Sequence, residues 1–519
     1  MQCFLTEPAY IGHGMPYKRL KCVYLKRLVY LNEAAFRRKG SFAAGKGRDC
    51  RVENVTPRTQ TTPIRAVKSI WLFGLLLLLL SGTGGAASSA AGLTEAPVAS
   101  SPAVADSPLQ LLIDAAAPGS AIRLEAGHTY RGPAIVNKSL TIRADSGATL
   151  VNDAGQPALT LKADGITLVG LHIADGQTDP KSGAVLVQSR FNTISGLEIV
   201  TQAGGIYLRS ASDNVIEGNR IVGAHALDPG EPFSRRGNGI DLLASPRNRI
   251  ENNELVHVHD GIYAESSNEV RLTGNRATSS RYGFHVMFSA KPQLIGNTGS
   301  YNVTGAMIMA VEGALVQDNR FDKQTENVNS QGILLYDVHR AAVSGNRVEG
   351  NRVGFYIEQS SDNLLVENVA AGNFIGMQML RSDRNTFRSG SFIANVIQAQ
   401  ATESRNNALD GNYWDDFRGL DTDGDGYSNL GYEVDPFFLK LTERVEAYRL
   451  FFQAPGLPFL QQMFRADTAN WLRDARPLMS PPTSGAPATA GGRSIYLVIA
   501  VVLLLGSSIV IYQWGVKTK

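Results

Sequence analysis

From Gly183 onward the chain repeats itself. Aligned on a glycine, units start at Gly183, Gly205, Gly239, Gly261, Gly283, Gly305, Gly332, Gly354 and Gly376, and six of the eight gaps equal 22 residues. The two longer gaps carry insertions, in "HALDPGEPFSRRGN" and in part of "DKQTENVNSQ". A fixed period of this length marks stacked supersecondary units, each too small to bury its own apolar face.

Inside each unit the first and third residues after the glycine are apolar, as in Ile206/Leu208, Phe284/Val286 and Ile333/Leu335. The second and fourth are mixed, as in Tyr207/Arg209, Tyr263/Glu265 and Tyr356/Glu358. This alternation predicts a strand with one buried face. Fourteen residues after the glycine stand Asn219, Asn253, Asn275, Asn297, Asn319, Asn346 and Asn368. Stacked coils place these amides one above another at a turn, where they bond along the column. The expected fold is all-β: a right-handed parallel β-helix with coils of about 22 residues over 108–417. "SPLQLLIDAAAPGSAIRLEAGHTY" is expected to close its N-terminal end with a short helix and a first strand, and Trp414 to cap the other end.

The rest of the chain is organised around this body. Residues 1–68 hold 14 of the 50 Lys and Arg and 4 of the 47 Asp and Glu, which leaves 36 basic against 43 acidic residues downstream. That balance argues against nucleic acid as a partner. Residues 1–64 read as a basic N-terminal extension or an over-called translation start. The span 65–91, with Arg65 and Lys68 before "IWLFGLLLLLL" and a small-residue zone after it, reads as a signal peptide, followed by a linker at 92–107. A second apolar run at 495–516, flanked by Lys517 and Lys519, predicts a transmembrane helix anchoring an extracytoplasmic body to the inner membrane. A linker at 479–494 would tether it. Between body and tether lie an Asp/Gly-rich terminal loop at 418–440 and a docking tail at 441–478, expected to be helical, which carries Phe451 and Phe452.

Cys3, Cys22 and Cys50 are the three cysteines and all precede the signal peptide, so soft-metal chemistry in the body falls to His and Met. His285 and Met307 are 22 residues apart, as are Met287 and Met309, so the repeat places all four in a square on one wall, pointing away from the core. Thioethers and imidazole together suit Cu(I). The same square also reads as an adaptable docking patch, enlarged by Tyr263, Leu334, Tyr336 and Tyr356. His225, His257 and His259 form a weaker metal candidate. Asp421, Asp423 and Asp425 with Gly426 match the first half of a calcium loop, yet Tyr432 stands at the twelfth position, and such Asp-Gly runs also make turns without metal.

Four stretches then carry a family resemblance: "RYGFHVMFS" (Arg281–Ser289), "GAMIMA" (Gly305–Ala310), "GNYWDD" (Gly411–Asp416) with "DTDGDG" (Asp421–Gly426), and "RPLM" (Arg476–Met479). From about Ser107 to Met479 the chain resembles the NosD family, exported β-helical accessory proteins for copper-site assembly in nitrous oxide reductase. His285, Met287 and Met309 match the family pattern; Met307 is an addition, and Ala310 stands where an aromatic is expected. The resemblance implies a non-enzymatic, periplasmic docking and relay subunit with transient copper. Its implied partners are the ATPase and permease of an ABC transporter, a copper-chaperone lipoprotein and the reductase. The rival reading is a β-helix that binds or modifies polysaccharide, with Asp241 and Glu265 as its carboxylates and Tyr207 and Tyr263 for stacking.

Overall fold

The computed structural model describes residues 107–224, 232–325, 327, 330–434 and 472–482. All lie within one compact unit, Val98–Lys519. The polypeptide winds as a parallel β-solenoid in the expected right-handed sense, each coil giving one strand to each of three long sheets. The sheets hold 14, 12 and 15 strands. One coil runs through Tyr282–Met287, Gln293–Ile295 and Thr298–Ser300. Its first strand lies in the 12-stranded sheet, between Asp260–Glu265 and Thr304–Glu312.

The core forms as the alternation predicts. Ile206, Leu208, Ile240, Leu242, Ile262, Phe284, Val286, Ile308, Ile333, Leu335 and Ile357 are fully buried. The repeat glycines have a steric cause. A Cβ on Gly283 would stand 2.6 Å from the Gly305 carbonyl oxygen, and one on Gly305 would meet that of Gly332 at 2.5 Å. Coils can stack this closely only where the side chain is absent.

The asparagine column is present. Asn275 Nδ2 donates to Asn297 Oδ1 at 3.1 Å and to the Ile250 carbonyl at 2.7 Å, and the Asn275 backbone N–H reaches Asn297 Oδ1 at 2.9 Å. Each amide thus ties its coil to the one before and the one after, which locks the register. One register differs from expectation. Val185, not Ala184, pairs with Ile206. In the first unit, therefore, Ala184 stands where the repeat glycine stands elsewhere.

Among the described residues each end carries a cap over the core. The helix Leu109–Ala115 buries Leu109 and Ile113 over the first coils. At the other end Trp414 stacks between Phe392 and Tyr432, with ring centroids at 4.3 and 4.5 Å. Asp474 arrives from the far side of the tail. Its carboxylate accepts the N–H groups of Gly411 (3.1 Å) and Asn412 (2.9 Å), Asn412 Nδ2 (3.0 Å) and Trp414 Nε1 (3.2 Å), and so replaces the next asparagine of the column. The described end of the tail is therefore a strand, Leu472–Asp474, rather than helix; it pairs antiparallel with Tyr432–Val434.

No helix among the described residues is long and apolar enough to cross a membrane. The span 65–91 expected to be a signal peptide, the run at 495–516 expected to be a membrane helix, and Phe451 and Phe452 lie outside the described residues.

Candidate functional site

The outer wall of the 12-stranded sheet carries two columns of side chains in register. One runs Tyr207, Asp241, Tyr263, His285, Met307, Leu334, Tyr356. The other runs Leu243, Glu265, Met287, Met309, Tyr336, Glu358. His285 pairs with Met307 and Met287 with Met309, so the square exists. Neighbouring backbones in a sheet lie about 4.8 Å apart, and residues two apart on a strand about 7 Å, so one imidazole and three thioethers share one small patch.

The patch is not the open surface that its outward register suggests. His285 is 6% exposed, Met287 8% and Met309 5%, whereas Met307 is half-buried. The cover comes from aromatic neighbours. The rings of Tyr263 and Tyr282 meet the His285 imidazole edge-on at 5.0 and 4.9 Å. Tyr263, Leu334, Tyr336 and Tyr356 are half-buried and continue the wall on either side.

A charged partner stands behind the imidazole. Asp260 is fully buried, receives Arg281 Nε at 2.9 Å and Nη2 at 2.8 Å, and lies 2.9 Å from His285 Nδ1. Burial pushes its pKa up, but the Arg281 charge and the bonds from His285 and Arg281 outweigh it, and the group is held well below the usual carboxylate range. An ionised carboxylate only accepts, so the proton of a neutral imidazole sits on Nδ1 and points at Asp260. In that tautomer Nε2 carries the lone pair. It is buried and has no hydrogen-bond partner among the described residues. A buried nitrogen of that kind is costly unless something binds it.

The sulfur side has its own partner. The Tyr263 hydroxyl lies 2.8 Å from Glu265 Oε2 and 3.2 Å from Met287 Sδ. Burial and the Glu265 charge push the phenol far up, so it keeps its hydrogen.

The other candidates fare differently. His225 lies outside the described residues. His257 sits on a turn at φ 57°, and His259 is half-buried one residue before Asp260. Among the described residues neither joins two further His, Cys, Asp or Glu side chains within ligating distance of one another, as a three-ligand histidine site requires. Burial lowers both imidazoles, His259 to about 4, so both are neutral near pH 7.

Asp421, Asp423 and Asp425 do converge, with oxygens within 4.8 Å of one another. Their oxygens are partly engaged already. Asp421 accepts Gly424 N–H at 2.7 Å and Gly426 N–H at 3.0 Å, and Asp425 pairs with Arg476 at 2.7 Å. The carboxylates of the sugar-processing reading are engaged too: Asp241 binds Arg209 at 2.6 Å and Asn238 at 2.7 Å, and Glu265 accepts from Tyr263.

Asp260 and Arg281 escaped the sequence reading as parts of this site. The signal was present in the period, since Asp260 lies 22 residues before Tyr282 and pairs with it, next to His285.

Among solved structures, the fold is similar to a periplasmic alginate epimerase AlgG (13% identity, TM-score 0.38, covering 58% of this chain and 82% of that one). It is likewise similar to a PL6 alginate lyase in complex with a trisaccharide (12% identity, TM-score 0.39, 58% and 84%). Two curated relatives share the printed name "Probable ABC transporter binding protein NosD". The one from Pseudomonas aeruginosa is 27% identical over 387 residues, 70% of this chain and 88% of the relative. The one from Stutzerimonas stutzeri is 26% identical over 388 residues, 70% and 87%. Residues 224–419, which include the whole soft wall, match the family model described as "Periplasmic copper-binding protein (NosD)". By motif and relatives alike, the chain is similar to the NosD family, whose model matches its residues 224–419.

Proposed function

We propose that this protein is a non-enzymatic periplasmic accessory factor for copper-site assembly in nitrous oxide reductase, receiving Cu(I) at the wall of His285, Met287, Met307 and Met309. The observation that carries this reading is the His285 Nε2 atom, buried and unpartnered among the described residues beside three thioethers on registered strands. Copper here is cargo. The donors suit it: one imidazole nitrogen and soft sulfurs prefer Cu(I) over hard cations, which would want oxygen. The half-buried Tyr263, Leu334, Tyr336 and Tyr356 form the surface on which a copper chaperone or the reductase docks. The printed name of the relatives supports an ABC transporter as the membrane partner. In this reading the tail with Phe451 and Phe452 meets the permease, and the run at 495–516 anchors the protein.

The test is a Cu(I) titration against a chromophoric chelator, with capture of copper-loaded partner by immobilised protein. Replacing all four residues by alanine is expected to abolish both. Equal copper uptake and equal capture by the variant reject the proposal.

A further inference from the structure

We propose that the strand Asp260–Glu265, one coil before His285 and Met287, is the positioning rung of the soft site. Asp260 sets the tautomer of His285, and Glu265 keeps the Tyr263 hydrogen off the Met287 sulfur. The inference rests on the copper reading above and assigns roles to residues that never touch the metal.

The two ends of this strand face the two soft ligands of the next one. At one end Asp260, clamped by Arg281 through two bonds, holds His285 Nδ1 at 2.9 Å. A carboxylate on the far nitrogen fixes ring orientation, raises basicity and leaves Nε2 as the donor atom. At the other end the Tyr263 hydroxyl has one hydrogen and two neighbours, Glu265 Oε2 at 2.8 Å and Met287 Sδ at 3.2 Å. A bond to a charged carboxylate is stronger than one to a thioether, so the hydrogen goes to Glu265. The sulfur lone pairs then stay free for a soft cation. Remove Glu265, and the hydrogen turns to the sulfur and competes with the metal.

This arrangement gives a signature that a structural role would not. In full-length protein, Asp260→Asn is expected to weaken Cu(I) binding by about 10- to 100-fold, the usual cost of losing a partner behind a ligand. Glu265→Ala is expected to cost on the order of 10-fold by the same rule. Adding Tyr263→Phe to Glu265→Ala removes the competing hydrogen and is expected to return most of that loss. Because Asp260→Asn also unsettles Arg281, a copper-free measurement accompanies it. Isotope-labelled histidine nitrogens, assigned with His285→Ala, should show His285 protonated at Nδ1 in the wild-type apo-protein and shifted toward Nε2 in Asp260→Asn.

Wild type that fails to bind Cu(I) overturns the function proposed above, while the tautomer still decides the role of Asp260. Wild-type His285 protonated at Nε2 overturns the inference. So does equal copper affinity for Glu265→Ala and Glu265→Ala/Tyr263→Phe.

Discussion

Two of the regions that read as metal sites in the sequence differ in what their donor atoms already hold. The Asp421–Asp425 loop gathers three carboxylates within a few residues, and its own backbone and Arg476 satisfy several of their oxygens. The wall at His285 gathers donors from strands 22 residues apart and leaves one buried nitrogen without a partner. A local cluster of acids can quench itself through turns, because neighbouring N–H groups lie within reach. Donors brought together by stacking have no such local partners, so their valences stay open.

The largest effect that would break this contrast concerns copper. His285→Ala is expected to lower Cu(I) affinity by about 100-fold or more, beyond the roughly 10- to 100-fold typical of a partner behind a ligand. Asp421→Asn/Asp423→Asn should leave it unchanged in the same chelator competition. A loop variant that loses copper would move the site.

Next comes the cap, where the loop belongs structurally. Asp474→Ala orphans four donors in a buried place and is expected to cost about 3 kcal/mol or more in urea unfolding. Asp425→Asn, which breaks an exposed pair with Arg476, should cost at most about 1 kcal/mol. Equal losses would mean that the loop, not the returning strand, closes the solenoid.

A smaller effect is expected in acid. His259 folds with its pKa lowered from 6.5 to about 4, mainly by burial. Unfolding therefore takes up a proton between those values, and stability is full above about pH 6.5 and lost as pH falls toward 4. His259→Gln should flatten that part of the pH–stability curve; an unchanged slope rejects the assignment. The smallest expected effect is calcium. Millimolar calcium or chelator should leave the thermal midpoint unmoved, and a rise of several degrees would make the loop a genuine cation site.

Much of this was legible beforehand. The period of 22 placed His285 beside Met307 and Met287 beside Met309, and it predicted the column Asn219 to Asn368, because stacking permits no other register once glycine and asparagine must recur at each corner. It missed by one residue at Val185, where Ala184 takes the corner and the repeat signal is weakest. The returning strand at Leu472–Asp474 was hidden for another reason. Nothing local in "LRD" shows that its aspartate ends an asparagine column more than sixty residues earlier in the chain.

By itself, the sequence determined which side chains share a wall, since periodicity converts distance along the chain into adjacency between coils. Tertiary structure alone decided what those side chains are worth chemically. The tyrosine cover, the Arg281-clamped carboxylate and the bare Nε2 depend on the rotamers that packing allows, and no spacing rule specifies those.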